Sequence, residues 1–516
     1  MADLKHDEAA RAVDPRDAGA TVPAMSSFPD TPVFSGYAAP VRVEGEVYDL
    51  EVEGVIPRGI NGFYIRNSAD HQFPPMYADD LFLNGDGMLH RIAIAGGRAD
   101  LKTRYVETEK YKRERTARRA LFGKYRNMFT DDPSVEGVER TTANTSVSWH
   151  GGRLLALKEA SPPTRIDPVT LDTIGLDDFD GRLASQAFTA HPKIDPRTGE
   201  MVAFGYFTNI VADKIIELYF IDADGTLSRT EQFEAPYPSM VHDCLLSEHY
   251  VIFTICPMVC DWDRVKAGEA FFHWDDRLPT MVGVVPRAPG AAGNVRWFNA
   301  PKAVMETHTF NAWEEESKLH LEHFITQTGW LSQFPDINDP TAIEKPPFAE
   351  RWTIDLESNG DGFEAERIFP QIGEMPMIDL RFATMRTRHF WFGTNNPALG
   401  PMLPRGPKGP PFTCLGHFDA DTGVLDFWYA GPDSSPEEPV FVPRSPDAEQ
   451  GDGWLMSVVG RRAENRTDFV ILDARRLSDG PVATIRLPGR IHEGFHGIWV
   501  AAETLSDERN GAKSQG

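Results

Sequence analysis

The chain has 516 residues, 41% of them hydrophobic and 25% charged, an ordinary composition for a globular protein. Its net charge of −25, from 52 basic and 77 acidic side chains, argues against nucleic acid as a partner, because phosphate recognition needs a positive field. No stretch reaches the roughly 18 apolar residues of a membrane span, so no stable membrane insertion is expected.

Residues 1–28 hold no apolar segment of signal-peptide type and are too acidic for a transit peptide, so they read as a flexible tail. Residues 503–516 read likewise, which leaves 29–502 as a single domain. The four cysteines, Cys244, Cys256, Cys260 and Cys414, are too sparse for a disulfide framework and fit reduced thiols in a cytoplasmic protein.

Short apolar or alternating runs recur along the domain, among them GFYIRN, RLLALKEA, MVAFGYF, YVIFTI, KLHLEHFI, HFWFG and HGIWVA. Bounded by turn formers, they predict strands. Six runs end in an aspartate and a short turn, at Asp167, Asp195, Asp222, Asp355, Asp419 and Asp473. An Asp carboxylate bonds the backbone two residues on, so each site predicts a hairpin. Hairpins repeated along the whole domain predict an all-β fold, a propeller or large sandwich, over a βαβ fold. One segment differs. Residues 108–129 lack strand alternation, carry eight Lys or Arg, and predict a helix capping the fold.

The 15 histidines include two H-x-D/E triplets, His273 to Asp275 and His320 to Glu322, of the kind that holds iron. His273 lies in a charged stretch. His320 and Glu322 share one face of an alternating strand, expected to be the solvated one. Four others differ: His191, His242, His308 and His496 each lie beside a separate strand-like run, at intervals of 51, 66 and 188 residues. They converge only if their strands surround a common axis. From the residues alone, four core histidines remain the competing reading.

The motifs around these four, FTAHPKIDPRTGEM, PSMVHDCLL, THTFNAWEE and EGFHGIWV, resemble the histidine motifs of the carotenoid cleavage oxygenase family. The GDGM at Gly85 to Met88 matches as well, although Leu83 and Asn84 precede it where the family more often has an aromatic and an acidic residue. LFGKYRNMFTDDPSVEGVERTTANTSV and EEPVFVPRSPDAEQGDGWLMSVVGR narrow the resemblance to its bacterial lignostilbene dioxygenases and the related isoeugenol and vinylphenol oxygenases.

The resemblance implies a seven-bladed β-propeller with helices and loops capping one face over an axial iron site. It implies Fe(II) as sole cofactor, held by His191, His242, His308 and His496, with Glu159, Glu374 and Glu438 behind the imidazoles. Glu438 is chosen over Glu437 because it directly precedes Pro-Val-Phe. Tyr125 and Lys158 match the pair that binds a substrate phenol. Lys158 and Glu159 are adjacent and would point to opposite faces of a regular strand, so the strand must end or twist there, as Ser161-Pro162-Pro163 permits.

The activity so implied is cleavage by O2 of the central double bond of a 4-hydroxystilbene, lignostilbene or resveratrol in type, into two aromatic aldehydes. The rivals are a side-chain oxygenase acting on isoeugenol or a 4-vinylphenol, cleavage of an apocarotenoid, and a propeller scaffold without catalysis. A homodimer is implied by family analogy.

Overall fold

The strand-like runs form seven antiparallel sheets of four or more strands, besides a two-stranded pair of Met258–Val259 with His273–Trp274, in a computed structural model, which describes residues 27–208, 212–329, 334–339 and 341–505. The seven larger sheets are the blades of a seven-bladed propeller. Most of both expected tails, 1–26 and 506–516, lies outside the described residues. Of the described tail residues, Phe28 packs against Phe34 with its ring tilted, and Leu505 packs against the cluster between the first and second blades.

The innermost strands, in order around the ring, are Gly494–Ala501, Ser146–His150, Lys193–Ile194, Leu245–Leu246, Met305–Glu315 and Glu374–Met377, followed by the pair Ser434–Pro436 and Val440–Pro443. The first blade joins the chain's ends: strand Gly494–Ala501 pairs with Gly62–Asp70. The seventh does so again, because Glu51–Gly54 pairs with Pro481–Arg486. Two such latches close the ring.

Side chains alternate across a strand, and each blade is sandwiched between two others, so both faces must be apolar. Strand Met201–Tyr206 (MVAFGY) is buried throughout for this reason. Its Met201 and Ala203 pack with Leu155 and Leu157 of the second blade, while Val202 and Phe204 pack with Val251 and Phe253 of the fourth. Burying such a large apolar side chain contributes about 1.5–3 kcal/mol, so the contacts between blades hold the ring together.

The aspartate turns follow the expected chemistry. The carboxylates of Asp167, Asp195, Asp355, Asp419 and Asp473 accept the backbone N–H two residues on, from Val169, Arg197, Glu357, Asp421 and Arg475. Asp222 differs, since its turn is closed by Gly225 N–H on its carbonyl and its carboxylate accepts from Ser228.

Two local expectations are corrected. The helix spans only Glu109–Ala117, capped by the Thr108 side chain and ended by Arg118 in the left-handed region at φ 57°. The residues beyond it form a loop up to a short 3-10 turn at Met128–Thr130, because Glu114 turns inward to accept the N–H groups of Leu121 and Phe122. His320 and Glu322 are buried, not solvated: Arg351 pairs with Glu322 at 2.7 Å, and Thr353 bonds His320 at 3.0 Å. Among the described residues, no helix is long and apolar enough to cross a membrane.

Candidate metal centre

Strands that surround an axis bring their inner ends together. The side-chain nitrogens of His191, His242, His308 and His496 lie within 4.8 Å of one another. Neither His273 nor His320 belongs to this group. His191 and His242 precede the innermost strands of the third and fourth blades, and His308 and His496 lie on those of the fifth and first. Pro192 favours extended backbone at His191.

The imidazoles face each other through Nε2, at 3.1 Å between His191 and His242 and 3.1 Å between His242 and His308. Two nitrogens bonded at right angles to one first-row metal, each at about 2.1 Å, stand about 3.0 Å apart. The spacing fits a shared ion.

The other ring nitrogens settle the tautomers. Glu374 Oε2 accepts from His308 Nδ1 at 2.7 Å and Glu438 Oε1 from His496 Nδ1 at 2.8 Å, while Glu159 Oε1 accepts from His242 Nδ1. A carboxylate accepts only, so Nδ1 carries the proton and each Nε2 lone pair points at the axis. Glu437, the adjacent candidate, pairs with Arg66 instead. The three glutamates come from the second, sixth and seventh blades, so each of the seven blades supplies one of these seven groups.

Electrostatics favour a neutral ring at His191 and anionic carboxylates at Glu159 and Glu374. Burial, followed by the rings of His496, His242 and His308, holds His191 well below its ordinary pKa. Burial alone would raise the Glu159 carboxyl, but His242, Arg126 and Lys158 outweigh it and hold it at about 2. At Glu374 the same contest, between burial and His308, also ends below the ordinary value.

Tyr125 and Lys158 stand in a cavity of about 210 Å³ that reaches His242, His308 and His496. Strand Arg153–Leu157 ends one residue before Lys158, so Lys158 and Glu159 escape strand alternation and reach the same cavity. The Lys158 ammonium lies over the Tyr125 ring at 5.0 Å and donates to Asn144 Oδ1 at 3.2 Å. Burial pushes its pKa down to about 8. Tyr125 is held by its own N–H on Asp80 and by the turn at Arg126, φ 55°. The GDGM glycines bring the neighbouring chain close: a Cβ on Gly87 would stand 2.4 Å from the Ala143 carbonyl oxygen. The opposite side of the imidazole cluster opens on a second cavity of about 560 Å³ lined by His191, His308 and His496.

Sequence reasoning missed two residues here. Arg126 lies over the rings of Tyr206 (5.3 Å) and Phe271 (4.8 Å) and donates to the Tyr206 hydroxyl at 2.9 Å; Tyr206 in turn donates to Glu159. Both sit inside motifs already noted, GKYRN and FGY, but only the fold brings them together.

Four imidazoles converging in a propeller, three of them backed by carboxylates, define a non-haem metal site. The family model described as retinal pigment epithelial membrane protein, RPE65, matches residues 38–501, and the chain belongs to the carotenoid cleavage oxygenase family. It is 43% identical to lignostilbene-alpha,beta-dioxygenase isozyme III of Sphingomonas paucimobilis, over 93% of this chain and 99% of that protein. It is 40% identical to isoeugenol monooxygenase of Pseudomonas nitroreducens, over 91% and 98%. The crystal structure of Pseudomonas brassicacearum lignostilbene dioxygenase is similar at a TM-score of 0.87 and 38% identity, covering 92% of this chain and all of that one.

Proposed function

We propose that the protein is an Fe(II) dioxygenase that cleaves the central double bond of 4-hydroxystilbenes with O2 into two aromatic aldehydes. The observation that carries this reading is the pairing of Lys158 with Tyr125 in the cavity that reaches the histidine cluster. The similarity to a lignostilbene dioxygenase supports the same substrate class.

His191, His242, His308 and His496 would hold iron(II), which would supply the activation of O2 when bound. Glu159, Glu374 and Glu438 keep the imidazole lone pairs aimed at it. In the cavity, Tyr125 and Lys158 receive the 4-hydroxyl group of the substrate. Lys158, desolvated and partly neutral near pH 8, takes a share of the phenol proton, which moves electron density through the ring into the alkene. Phe82, Leu83, Met240 and Phe495 give the cavity an apolar wall that holds the rings and excludes water. The balance is simple: one alkene and one O2 yield two aldehydes, with no external reductant. The unpaired cysteines suit a reducing, cytoplasmic setting.

Similarity to an isoeugenol monooxygenase favours a second reading, the same chemistry on a propenylphenol, which needs the same Tyr125 and Lys158. Turnover of a 4-hydroxystilbene, isoeugenol and an apocarotenal, with aldehyde products quantified, tests the choice. The stilbene is expected to be cleaved most efficiently, and cleavage of the apocarotenal alone would overturn the role given to Tyr125 and Lys158.

A further inference from the structure

The cavity holds a second buried cation that the proposed reaction does not use. Lys408 lies in the loop between strands His389–Thr394 and Cys414–Asp419 of the sixth blade and lines the cavity. The loop is a tight turn: Gly406 and Gly409 exchange backbone hydrogen bonds at 2.9 and 3.1 Å, with Gly409 at φ 101°. Pro407, Pro410 and Pro411 stiffen it, so the ammonium is delivered by a rigid support.

Its surroundings give the charge no ion-pair partner of its own, although Glu493 and Glu437 lie near enough to favour it. Lys408 Nζ donates to the carbonyl oxygens of Gly494 at 2.9 Å and Glu493 at 3.1 Å. An ammonium has three N–H donors, so one remains. The charge also rests over the Phe495 ring at 4.1 Å and the Phe82 ring at 5.6 Å. The two nearby carboxylates already hold guanidinium partners: Glu437 pairs with Arg66 and Glu493 with Arg462. Among the described residues, no carboxylate forms an ion pair with Lys408 within 4.0 Å. A buried cation with a spare donor, facing a cavity, is stabilised by an anion that enters it.

The position of this cation relates to the substrate. Lys158 adjoins Glu159, which backs His242, whereas Lys408 stands on Phe495, the neighbour of His496. The two lysines therefore line one cavity from different segments of the chain, each beside a residue that adjoins or backs a different member of the histidine cluster. A stilbene with its phenol at Lys158 and its alkene at the cluster has its second ring left to place.

We infer that Lys408 is the anchor of a second polar subsite, which takes a carboxylate on the stilbene ring remote from the 4-hydroxyl group. The inference rests on the phenolic reading for the other end of the substrate. It makes the enzyme selective for doubly polar stilbenes: a phenol at one end and an acid at the other. Burial, the largest influence on it, brings the Lys408 pKa down to about 8, which leaves the ammonium mostly charged at neutral pH.

The test compares 4-hydroxystilbene with 4-hydroxystilbene-4′-carboxylate on the full chain loaded with Fe(II). The wild type is expected to prefer the carboxylate at least tenfold in kcat/KM, mainly through KM. Lys408→Met is expected to lower that preference at least tenfold, and Lys408→Arg to retain most of it. Equal losses on both substrates would reduce Lys408 to a pin for its loop and overturn the subsite, as would a wild type without preference. Calorimetric binding of the carboxylate to the metal-free chain separates this inference from the proposed activity. Tighter binding to wild type than to Lys408→Met supports the subsite even if neither stilbene is cleaved, whereas equal binding overturns it.

Discussion

Tyr206 donates its hydroxyl proton to Glu159 Oε2 at 2.8 Å, while the other oxygen of the same carboxylate takes the Nδ1 proton of His242. Arg126 holds Tyr206 from behind and lies 3.7 Å from Glu159. One ligand-side carboxylate is thereby tied to the residue after Tyr125. Glu374 is held differently: its Oε2 accepts from both His308 Nδ1 and the Met375 N–H. Tyr206→Phe should weaken iron retention roughly three- to tenfold, the value of one hydrogen bond, with little change in fold. Titration with a metal chelator reads this directly, and unchanged retention would remove Tyr206 from the support of His242.

Neutralising a carboxylate behind an imidazole should cost more. Glu374→Gln is expected to lower iron affinity or turnover about 10- to 100-fold. Iron content after dialysis and turnover per bound iron separate the two effects, and no change in either would contradict the role given to Glu374.

Removing a ligand should be harsher still. His308→Ala, purified anaerobically with Fe(II) supplied, is expected to lose both bound iron and activity. Full activity in this variant would sink the enzyme reading and leave the histidines as core residues.

The proton exchange at Lys158 gives a sign to the pH profile. A neutral amine is needed to accept from a protonated phenol, so kcat/KM should rise as pH increases through about 8. It should fall again near the phenol pKa of the free substrate, about 10. Lys158→Met should lose the lower limb along with most of the rate. A wild-type profile flat from pH 7 to 9 would count against the exchange.

Gly87→Ala tests how the cavity is built. The new methyl group would press on the Ala143 and Thr142 carbonyl oxygens, at 2.4 and 2.8 Å, neither of which can yield as a side chain would. We expect about 1–3 kcal/mol of destabilisation by chemical denaturation, and slower turnover because Asn144 carries Lys158.

Much of this architecture is legible in the sequence where the physics is local. The aspartate turns state their own hydrogen bonds, and strand Met201–Tyr206 states through its unbroken apolar run that both faces are covered. The four histidine motifs could be recognised, but no local rule brings residues of four blades to one axis. The Lys158–Glu159 tension was visible, and its solution, a strand ending at Leu157, was allowed by the prolines that follow. Long-range partners were illegible. Arg126 is surrounded by Tyr206, Phe271 and Phe272, and Glu322 is buried by Arg351 from the next strand. Alternation alone wrongly placed Glu322 in solvent.

The seven groups of the metal centre, one from every blade, also constrain how this protein can come apart. A ring latched by Gly494–Ala501 on Gly62–Asp70 cannot release one blade without spreading the others. His496 lies in that latch strand itself. Opening the latch therefore withdraws one imidazole of the cluster, and an ion bound there would resist the opening. Metal loss would then accompany opening of the ring, and metal content would become a gauge of ring closure.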